Sequence, residues 1–125
     1  MDVLEKVQRR ATKIPFRNGN LNYEDRCKIF GLESLRTRRQ RGDLIQKYKL
    51  VNGLDKVEWV SSQVRVEGRV GHREQYRREI VKNCDQRHYF FNNRVASSWN
   101  SLPDSVVYAD STKHFKIKLG DFNNT

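Results

Sequence analysis

Apolar and polar positions follow a helical period at the start of the chain. Apolar side chains recur every three or four residues, the spacing that gathers them on one face of an α-helix. These side chains are Val3, Leu4, Val7, Ala11 and Ile14. The spacing predicts a helix over about residues 2–14, ended by Pro15 because proline interrupts helical hydrogen bonding. We expect Leu4 and Val7 to lie in the core.

Two more helices are predicted before residue 54. The stretch NYEDRCKIFG has Asn22 placed as an N-cap and Gly31 as a C-terminal stop. Ile29 and Phe30 are the apolar residues of this short helix that should be buried. The longest helical pattern follows in LESLRTRRQRGDLIQKYKLVNGL and ends at Gly53. Its apolar stripe is Leu35, Leu44, Ile45, Tyr48 and Val51.

No helical period is visible between residues 54 and 87. Apolar residues instead alternate with polar ones around Val57 and Trp59 and around Val64 and Val66, a pattern typical of extended segments. A second extended piece, QYRREIVK, could pair back on the first. We therefore predict a short extended or β-hairpin element between about residues 57 and 82.

Helical spacing returns in the last third of the chain. In HYFFNNRVASSWNSLP, an apolar stripe predicts one helix from about Gln86 to Leu102, ended by Pro103. That stripe is Phe91, Val95, Trp99 and Leu102. DSVVYADS is predicted to be a connector, and STKHFKIKLGDF a closing helix capped by Asp110 or Ser111. The inner face of the closing helix is Phe115, Leu119 and Phe122.

Together these elements predict a mainly α fold, a small helical domain with a short extended or β-hairpin insertion in the middle. A chain of 125 residues suits one domain. Within it we distinguish a basic helical part (residues 1–53), the extended or hairpin part (54–87) and a C-terminal helical part (88–125). Only 36% of the residues are hydrophobic, against roughly 45–50% in an average globular domain, so the core should be small.

The charge of the chain is strongly positive and uneven. Twenty-five Lys and Arg against fifteen Asp and Glu give a formal net charge of +10 and a pI near 10. Residues 1–53 hold thirteen of these cations and six of the acids, a net charge of +7. A polyanion or an acidic surface is therefore expected to bind the N-terminal part.

Cysteine usage and hydropathy bear on the compartment. Two cysteines, Cys27 and Cys84, are too few for a disulfide framework and are expected to be free thiols. No apolar run approaches the length of a membrane span, and the N-terminus lacks the apolar stretch of a signal peptide. We expect a soluble nuclear or cytoplasmic protein with no membrane partner.

Three stretches, taken together, resemble a known protein family. They are LEKVQRRATKI, LNYEDRCKIFGLESLRTRRQRGDLIQKYKLVNGL and FFNNRVASSWNSLPDSVVYADSTKHFKIKL. In this order and spacing they resemble the C-terminal region, belonging to or following the thumb, of the reverse transcriptases of jockey-like non-LTR retrotransposons. The resemblance implies an RNA-directed DNA polymerase as the parent protein. It also implies an upstream polymerase palm as a partner and contact with RNA or an RNA–DNA hybrid.

The resemblance does not make this chain a polymerase. Catalysis in the family uses two metal ions held by palm aspartates, including an adjacent Asp-Asp pair, and no Asp-Asp occurs in the sequence. We therefore expect an accessory region that grips a nucleic-acid backbone and is not an enzyme by itself. No catalytic residue, metal ligand or cofactor is predicted.

The main candidate site is the basic run RTRRQR together with the cations of the first helix. Arginine binds phosphate oxygens through two parallel hydrogen bonds and can follow a backbone without reading sequence, although charge runs are more often only solvated. The candidate backbone-binding residues are Arg9, Arg10, Lys13, Arg36, Arg38, Arg39 and Arg41. Tyr89, Phe90 and Arg94 lie off the apolar stripe or at its border and are candidates for stacking on bases.

Two other functional classes stay open. The chain could be a helical interaction module that lost the nucleic acid and binds an acidic protein partner. The histidines His72, His88 and His114 could serve a small metal-independent nuclease as acid and base, although nothing in their spacing requires it. A zinc site drawn from His72, His88, Cys27 and Cys84 is disfavoured, because no closely spaced cysteine pair occurs.

Overall fold

A computed structural model of the chain describes residues 2–17, 19–58, 63–66 and 71–124. These residues are mainly helical, at 58% helix, and contain no sheet, which confirms the predicted fold class. Their α-helices are α1 (Asp2–Ala11), α2 (Tyr23–Ile29), α3 (Leu35–Val51), α4 (Asp85–His88), α5 (Phe91–Asn100), α6 (Asp104–Val107) and α7 (Thr112–Asn123). No helix in the described ranges is both long enough and apolar enough to cross a membrane.

The chain divides into two compact units, Met1–Gly42 and Asp43–Thr125. The division falls within α3, so the first unit holds α1, α2 and the start of α3, and the second unit holds the remaining helices. The prediction of one domain over residues 1–125 stays a prediction.

In the first unit, α1 is held by its polar side chains. Gln8 Nε2 donates to the hydroxyl of Tyr23 and to the carbonyl oxygen of Glu33, each at 3.0 Å. The Tyr23 hydroxyl donates to one carboxylate oxygen of Glu5 at 2.5 Å. The other oxygen of Glu5 accepts a hydrogen bond from the backbone N–H of Leu35 at 3.0 Å. Hydrogen bonds thus tie α1 to α2 and to the start of α3.

The apolar stripe of α1 faces solvent, so its predicted place in the core was wrong. Leu4 is 60% exposed and Val7 is 62% exposed, because the polar side of the helix that carries Glu5 and Gln8 makes the contacts. Leu35, also predicted for the core, is only half-buried. The helix ends at Ala11, short of the predicted residue 14, and Ile14–Phe16 forms a separate 3-10 turn.

The predicted capping residues of α2 are confirmed. Asn22 is the N-cap, and its side-chain oxygen accepts a hydrogen bond from the N–H of Asp25 at 2.8 Å. Gly31 has φ 61°, a left-handed conformation that ends helices and that glycine adopts without strain. Ile29 and Phe30, predicted to be buried, are 59% and 42% exposed, because the residues of α2 that are buried lie in the preceding turn. Its buried residues are Arg26 and Cys27.

The core of the second unit is built around Trp99 and Phe115, both fully buried. Their ring centres lie 6.2 Å apart, and the ring of Tyr48 stacks on Phe115 at 4.4 Å. The Tyr48 hydroxyl donates to the carbonyl oxygen of Ala109 at 2.6 Å. Phe91 is partly buried against this cluster. The predicted core residues that are confirmed as buried are Leu44, Tyr48, Val95, Trp99, Leu102, Phe115 and Leu119.

The helices before Pro103 and after it differ from prediction. The single helix expected from Gln86 to Leu102 is two helices, α4 and α5, separated at Tyr89 and Phe90. The expected connector DSVVYADS contains α6, whose Val106 and Val107 are buried. Helices of four residues are too short to show a helical period of their own, which is why hydrophobic spacing missed α6 and did not separate α4 from α5.

The closing helix is confirmed as α7, and its cap is Ser111. The Ser111 hydroxyl oxygen accepts a hydrogen bond from the N–H of His114 at 3.2 Å. Asp110, the alternative cap, instead lies 3.8 Å from His114 Nδ1. Phe122, predicted on the inner face, is 43% exposed because it lies in the last turn, beyond the buried cluster.

The predicted hairpin is not confirmed. Arg65 and Tyr76 form one isolated antiparallel bridge, with backbone hydrogen bonds of 3.0 and 2.9 Å on either side of it. No strand forms in the described part of residues 57–82. Trp59, part of the predicted alternation, lies outside the described residues.

Asparagine side chains of α5 hold the extended segment in place. Asn100 accepts a hydrogen bond from the N–H of Tyr76 at 3.0 Å and donates to its carbonyl oxygen at 2.8 Å. Asn93 makes the same pair with Glu79, at 2.8 and 3.1 Å. A carboxamide carries both a donor and an acceptor, so each asparagine supplies the two hydrogen bonds that a neighbouring strand would otherwise provide.

Candidate nucleic-acid interface

The basic run RTRRQR forms the first half of α3. Ser34 stands just before the helix, and its hydroxyl oxygen accepts a hydrogen bond from the N–H of Thr37 at 3.1 Å, as an N-cap residue does. Of the arginines that follow, three are exposed and one is half-buried. The exposed ones are Arg36, Arg38 and Arg39, and the half-buried one is Arg41.

These four arginines have no anionic partner among the described residues. The ion pairs found in the described ranges all involve other cations. A guanidinium group carries five N–H donors and no acceptor. Without a carboxylate to occupy them, these donors stay open to water or to a bound anion.

The four arginines do not lie on one face of α3. At 3.6 residues per turn, side chains three positions apart are neighbours, which pairs Arg36 with Arg39 and Arg38 with Arg41. The two pairs project from different sides, so the run covers more than half of the helix circumference. A phosphate backbone lying along one side would therefore meet one pair directly, rather than the whole run.

The predicted cations of the first helix lie in the same unit. Arg10 and Lys13 are exposed and form no ion pair with a described residue. The guanidinium carbon of Arg9 lies 4.9 Å from the ring centre of Tyr23, so Arg9 makes a cation–π contact in addition to carrying charge. The unit Met1–Gly42 holds eleven Lys and Arg and five Asp and Glu, a net charge of +6.

The three stacking candidates lie in the second unit and differ in exposure. Tyr89 and Phe90, between α4 and α5, are 64% and 53% exposed. Arg94 is held inside the unit, because its Nε and Nη2 donate to the two carboxylate oxygens of Asp43 at 2.6 and 2.9 Å. This hydrogen-bonded ion pair raises the pKa of Arg94. Arg94 is thus engaged in an ion pair, and Tyr89 and Phe90 are each more than half exposed.

Sequence reasoning missed a buried cation, Lys47. It is 4% exposed, its Nζ lies 3.7 Å from the ring centre of Tyr76, and it donates to Gln63 Oε1. Burial lowers the pKa of Lys47 to about 8, although the nearby Glu74 acts in the opposite direction. The sequence held a signal, since Lys47 lies three residues after Leu44 and so on the apolar side of α3.

The histidines and cysteines do not assemble into a metal centre in the described residues. His72 is 1% exposed, and its Nε2 lies 2.9 Å from the carbonyl oxygen of Trp99. Cys27 is buried and Cys84 exposed, and both are free thiols, as predicted. No group of three or more potential metal ligands occurs in the described ranges.

Comparisons with protein-family models, with curated proteins and with solved structures gave no match to this chain.

Proposed function

We propose that the chain is a nucleic-acid-binding accessory region that grips the phosphate backbone of RNA or an RNA–DNA hybrid. The observation that supports this most directly is the set of four arginines on α3, none of them neutralised by a described carboxylate. The planar guanidinium group of arginine can donate two parallel hydrogen bonds to the oxygens of one phosphate. Such contacts give affinity that does not depend on base sequence.

The resemblance to jockey-like reverse transcriptases adds the biological setting to this proposal. The chain would act as the thumb-like C-terminal region of a retrotransposon RNA-directed DNA polymerase, beside an upstream palm, in the nucleus or the cytoplasm. It would not polymerise by itself, because the adjacent aspartates that hold catalytic metal ions in that family are absent from the sequence.

The experiment measures binding to a single-stranded RNA and to an RNA–DNA hybrid over a range of salt concentrations. Each phosphate contact releases condensed counterions, so log affinity should fall linearly with log salt, by about 0.7 per contact on a single strand and about 0.9 on a duplex. Replacing Arg38 and Arg39 by glutamine should flatten the slope by roughly one to two units. Unrelated sequences should be weakened alike, because backbone contacts carry no base identity.

The matched control replaces Lys113 and Lys116 by glutamine. These lysines are exposed on α7, and their replacement changes the net charge by the same amount. The control should keep the slope of the unmodified chain. If both variants flatten the salt slope equally, overall charge, and not α3, drives binding. If the Arg38 and Arg39 variant keeps the slope of the unmodified chain, the proposed backbone contacts are rejected.

Stacking by Tyr89 and Phe90 makes a separable contribution to the proposal. Alanine at either position should lower affinity by about 1–3 kcal/mol per stacked base. It should leave the salt slope nearly unchanged, because no cation is removed. An alanine variant that flattens the salt slope but keeps its affinity at high salt would contradict a stacking role.

A second candidate function is a helical protein-interaction module. It is favoured by one observation, the exposed apolar stripe of α1, where Val3, Leu4 and Val7 are 73%, 60% and 62% exposed. Contiguous exposed apolar surface often marks a protein contact, and the basic residues of α1 would suit an acidic partner. This function takes precedence if the arginine variants leave nucleic-acid binding unchanged.

A further inference from the structure

A surface hollow of about 720 Å³ lies in the first unit, next to the 3-10 turn. It is lined by Lys13, Ile14, Phe16, Arg17, Leu21 and Arg26, together with Gly19 and Asn20. The lining therefore contains three cations and no carboxylate. Its size falls within the range of sites that hold small organic ligands, roughly 300–1,000 Å³.

Arg26 is the unusual member of this lining, because it is buried without an anionic partner. It is 5% exposed, whereas arginine is almost never fully buried unless it is paired. Its Nε donates to Thr12 Oγ1 at 3.4 Å and its Nη1 to the carbonyl oxygen of Leu21. Both acceptors are neutral, and Nη2 makes no hydrogen bond to a described residue.

No described carboxylate forms an ion pair with Arg26. Glu24, two residues before it, is exposed. Glu5 accepts hydrogen bonds from the Tyr23 hydroxyl and from the N–H of Leu35. Asp25 pairs with Lys28 at 3.9 Å. The place of Arg26 in the last turn of α2 gives it some stabilisation from the helix dipole, and its guanidinium carbon lies 6.0 Å from the ring centre of Tyr23. Neither contact supplies a full negative charge to neutralise the guanidinium group.

Lys13 and Arg17 add two accessible charges at the same hollow. Both are exposed, and neither forms an ion pair with a described residue. Three cations that line one hollow without a carboxylate favour a ligand with more than one negative charge. A phosphate monoester carries close to two at neutral pH, and its oxygens match the arginine fork.

The apolar part of the lining indicates that the anion carries an organic group. Ile14, Phe16 and Leu21 lie beside the cations, and an inorganic ion would leave them and most of the volume unused. Phe16 already packs against Phe30, at 5.6 Å between ring centres, so its ring is held in place. A ring held in this way can contact a flat base.

We infer that this hollow binds the phosphate monoester of a nucleotide, either as a free nucleotide or at the 5′ end of a nucleic acid. Arg26 and the two exposed cations would neutralise the phosphate, and the apolar wall would contact the nucleoside. The inference is independent of the proposed backbone contacts of α3, because none of the arginines of α3 lines the hollow.

The test is a titration of the full chain with AMP, followed by calorimetry and by the backbone amide NMR signals of the residues that line the hollow. Adenosine lacks the phosphate and should bind at least about tenfold more weakly than AMP. Inorganic phosphate lacks the nucleoside and should also bind at least about tenfold more weakly than AMP. AMP binding no tighter than adenosine, or no tighter than inorganic phosphate, would overturn the inference.

Variants locate the site. Replacing Lys13 and Arg17 by glutamine should weaken AMP about tenfold or more, and the fold should persist because both side chains are exposed; a thermal melt checks this. The control replaces Arg38 and Arg39, which removes the same charge from the same unit and should leave AMP affinity within about twofold. Equal losses in the two variants would overturn the site.

Oligonucleotides with and without a 5′ phosphate separate the two sources of the ligand. If the phosphorylated strand binds more tightly and competes with AMP, the hollow holds a strand end. If both strands bind alike and AMP still binds, the hollow holds a free nucleotide. The Arg38 and Arg39 variant distinguishes this site from the proposed interface, because only salt-dependent strand binding should change in it.

Discussion

Replacing Lys47 by methionine should make the stability of the protein less dependent on pH between pH 7 and pH 9. Lys47 is 4% exposed, and its burial lowers the pKa of its ammonium group from 10.5 to about 8. The folded chain therefore holds this proton less tightly than the unfolded chain does. Stability accordingly rises as the pH increases from about 8 towards 10.5, and the cost of the buried charge is fully present below pH 8.

The magnitude follows from the two proton affinities. The fall in pKa from 10.5 to about 8 corresponds to roughly 3 kcal/mol at about 1.4 kcal/mol for each tenfold change in proton affinity. Between pH 7 and pH 9 the free energy of unfolding should therefore rise by about 1.3 kcal/mol. Screening by water lowers this expected rise to roughly 1 kcal/mol. Methionine has a similar length and no charge, so this gain should disappear in the Lys47→Met variant.

The assay is urea unfolding at pH 7, 8 and 9, followed by far-UV circular dichroism. The matched control is Lys49→Met, which removes the same charge from the same helix. Lys49 lies 3.6 Å from Asp55, and its side chain is 36% exposed. We expect this control to keep the gain of the unmodified chain. If Lys47→Met also keeps that gain, burial of Lys47 is not the source of the pH dependence.

Two further predictions concern stability. Trp99→Ala should cost about 3–5 kcal/mol, because Trp99 is fully buried and its indole N–H donates to the carbonyl oxygen of Glu74 at 2.8 Å; a loss below about 1 kcal/mol in urea unfolding would contradict its central place in the core. Gly120→Ala in α7 should stabilise by about 0.5–1 kcal/mol, since a Cβ there meets nothing within 4 Å. Gly53→Ala should destabilise, because Gly53 has φ 66°, and the same sign for both glycine variants would refute this reasoning.

Local signals in the sequence were sufficient for the ends of several helices. Asn22 and Ser111 cap their helices through hydrogen bonds to an N–H three residues later. Gly31 and Gly53 adopt left-handed conformations where α2 and α3 end. These features depend on a few consecutive residues, and the physics that selects them acts within one turn of chain.

The candidate interface was predicted in part. The charge run lies in a segment of α3, residues 36–42, that contains no large apolar side chain. Its arginines are therefore expected to be exposed, and Arg36, Arg38 and Arg39 are. The sequence could not reveal that Arg94 is engaged by Asp43, because the two residues are 51 positions apart. Nor could it show that Arg26 is buried without a carboxylate partner, because tertiary packing decides which side chains surround it.

The sequence by itself determined which residues share a helix face, where several helices start or stop, and that the charge is concentrated in the first part of the chain. Tertiary structure alone decided which face is covered. In α5 the apolar stripe through Trp99 is buried, whereas in α1 the stripe through Leu4 is exposed and the polar side through Gln8 makes the contacts. Periodicity is a property of one helix, but burial depends on what other elements bring against it, and those neighbours are distant in sequence.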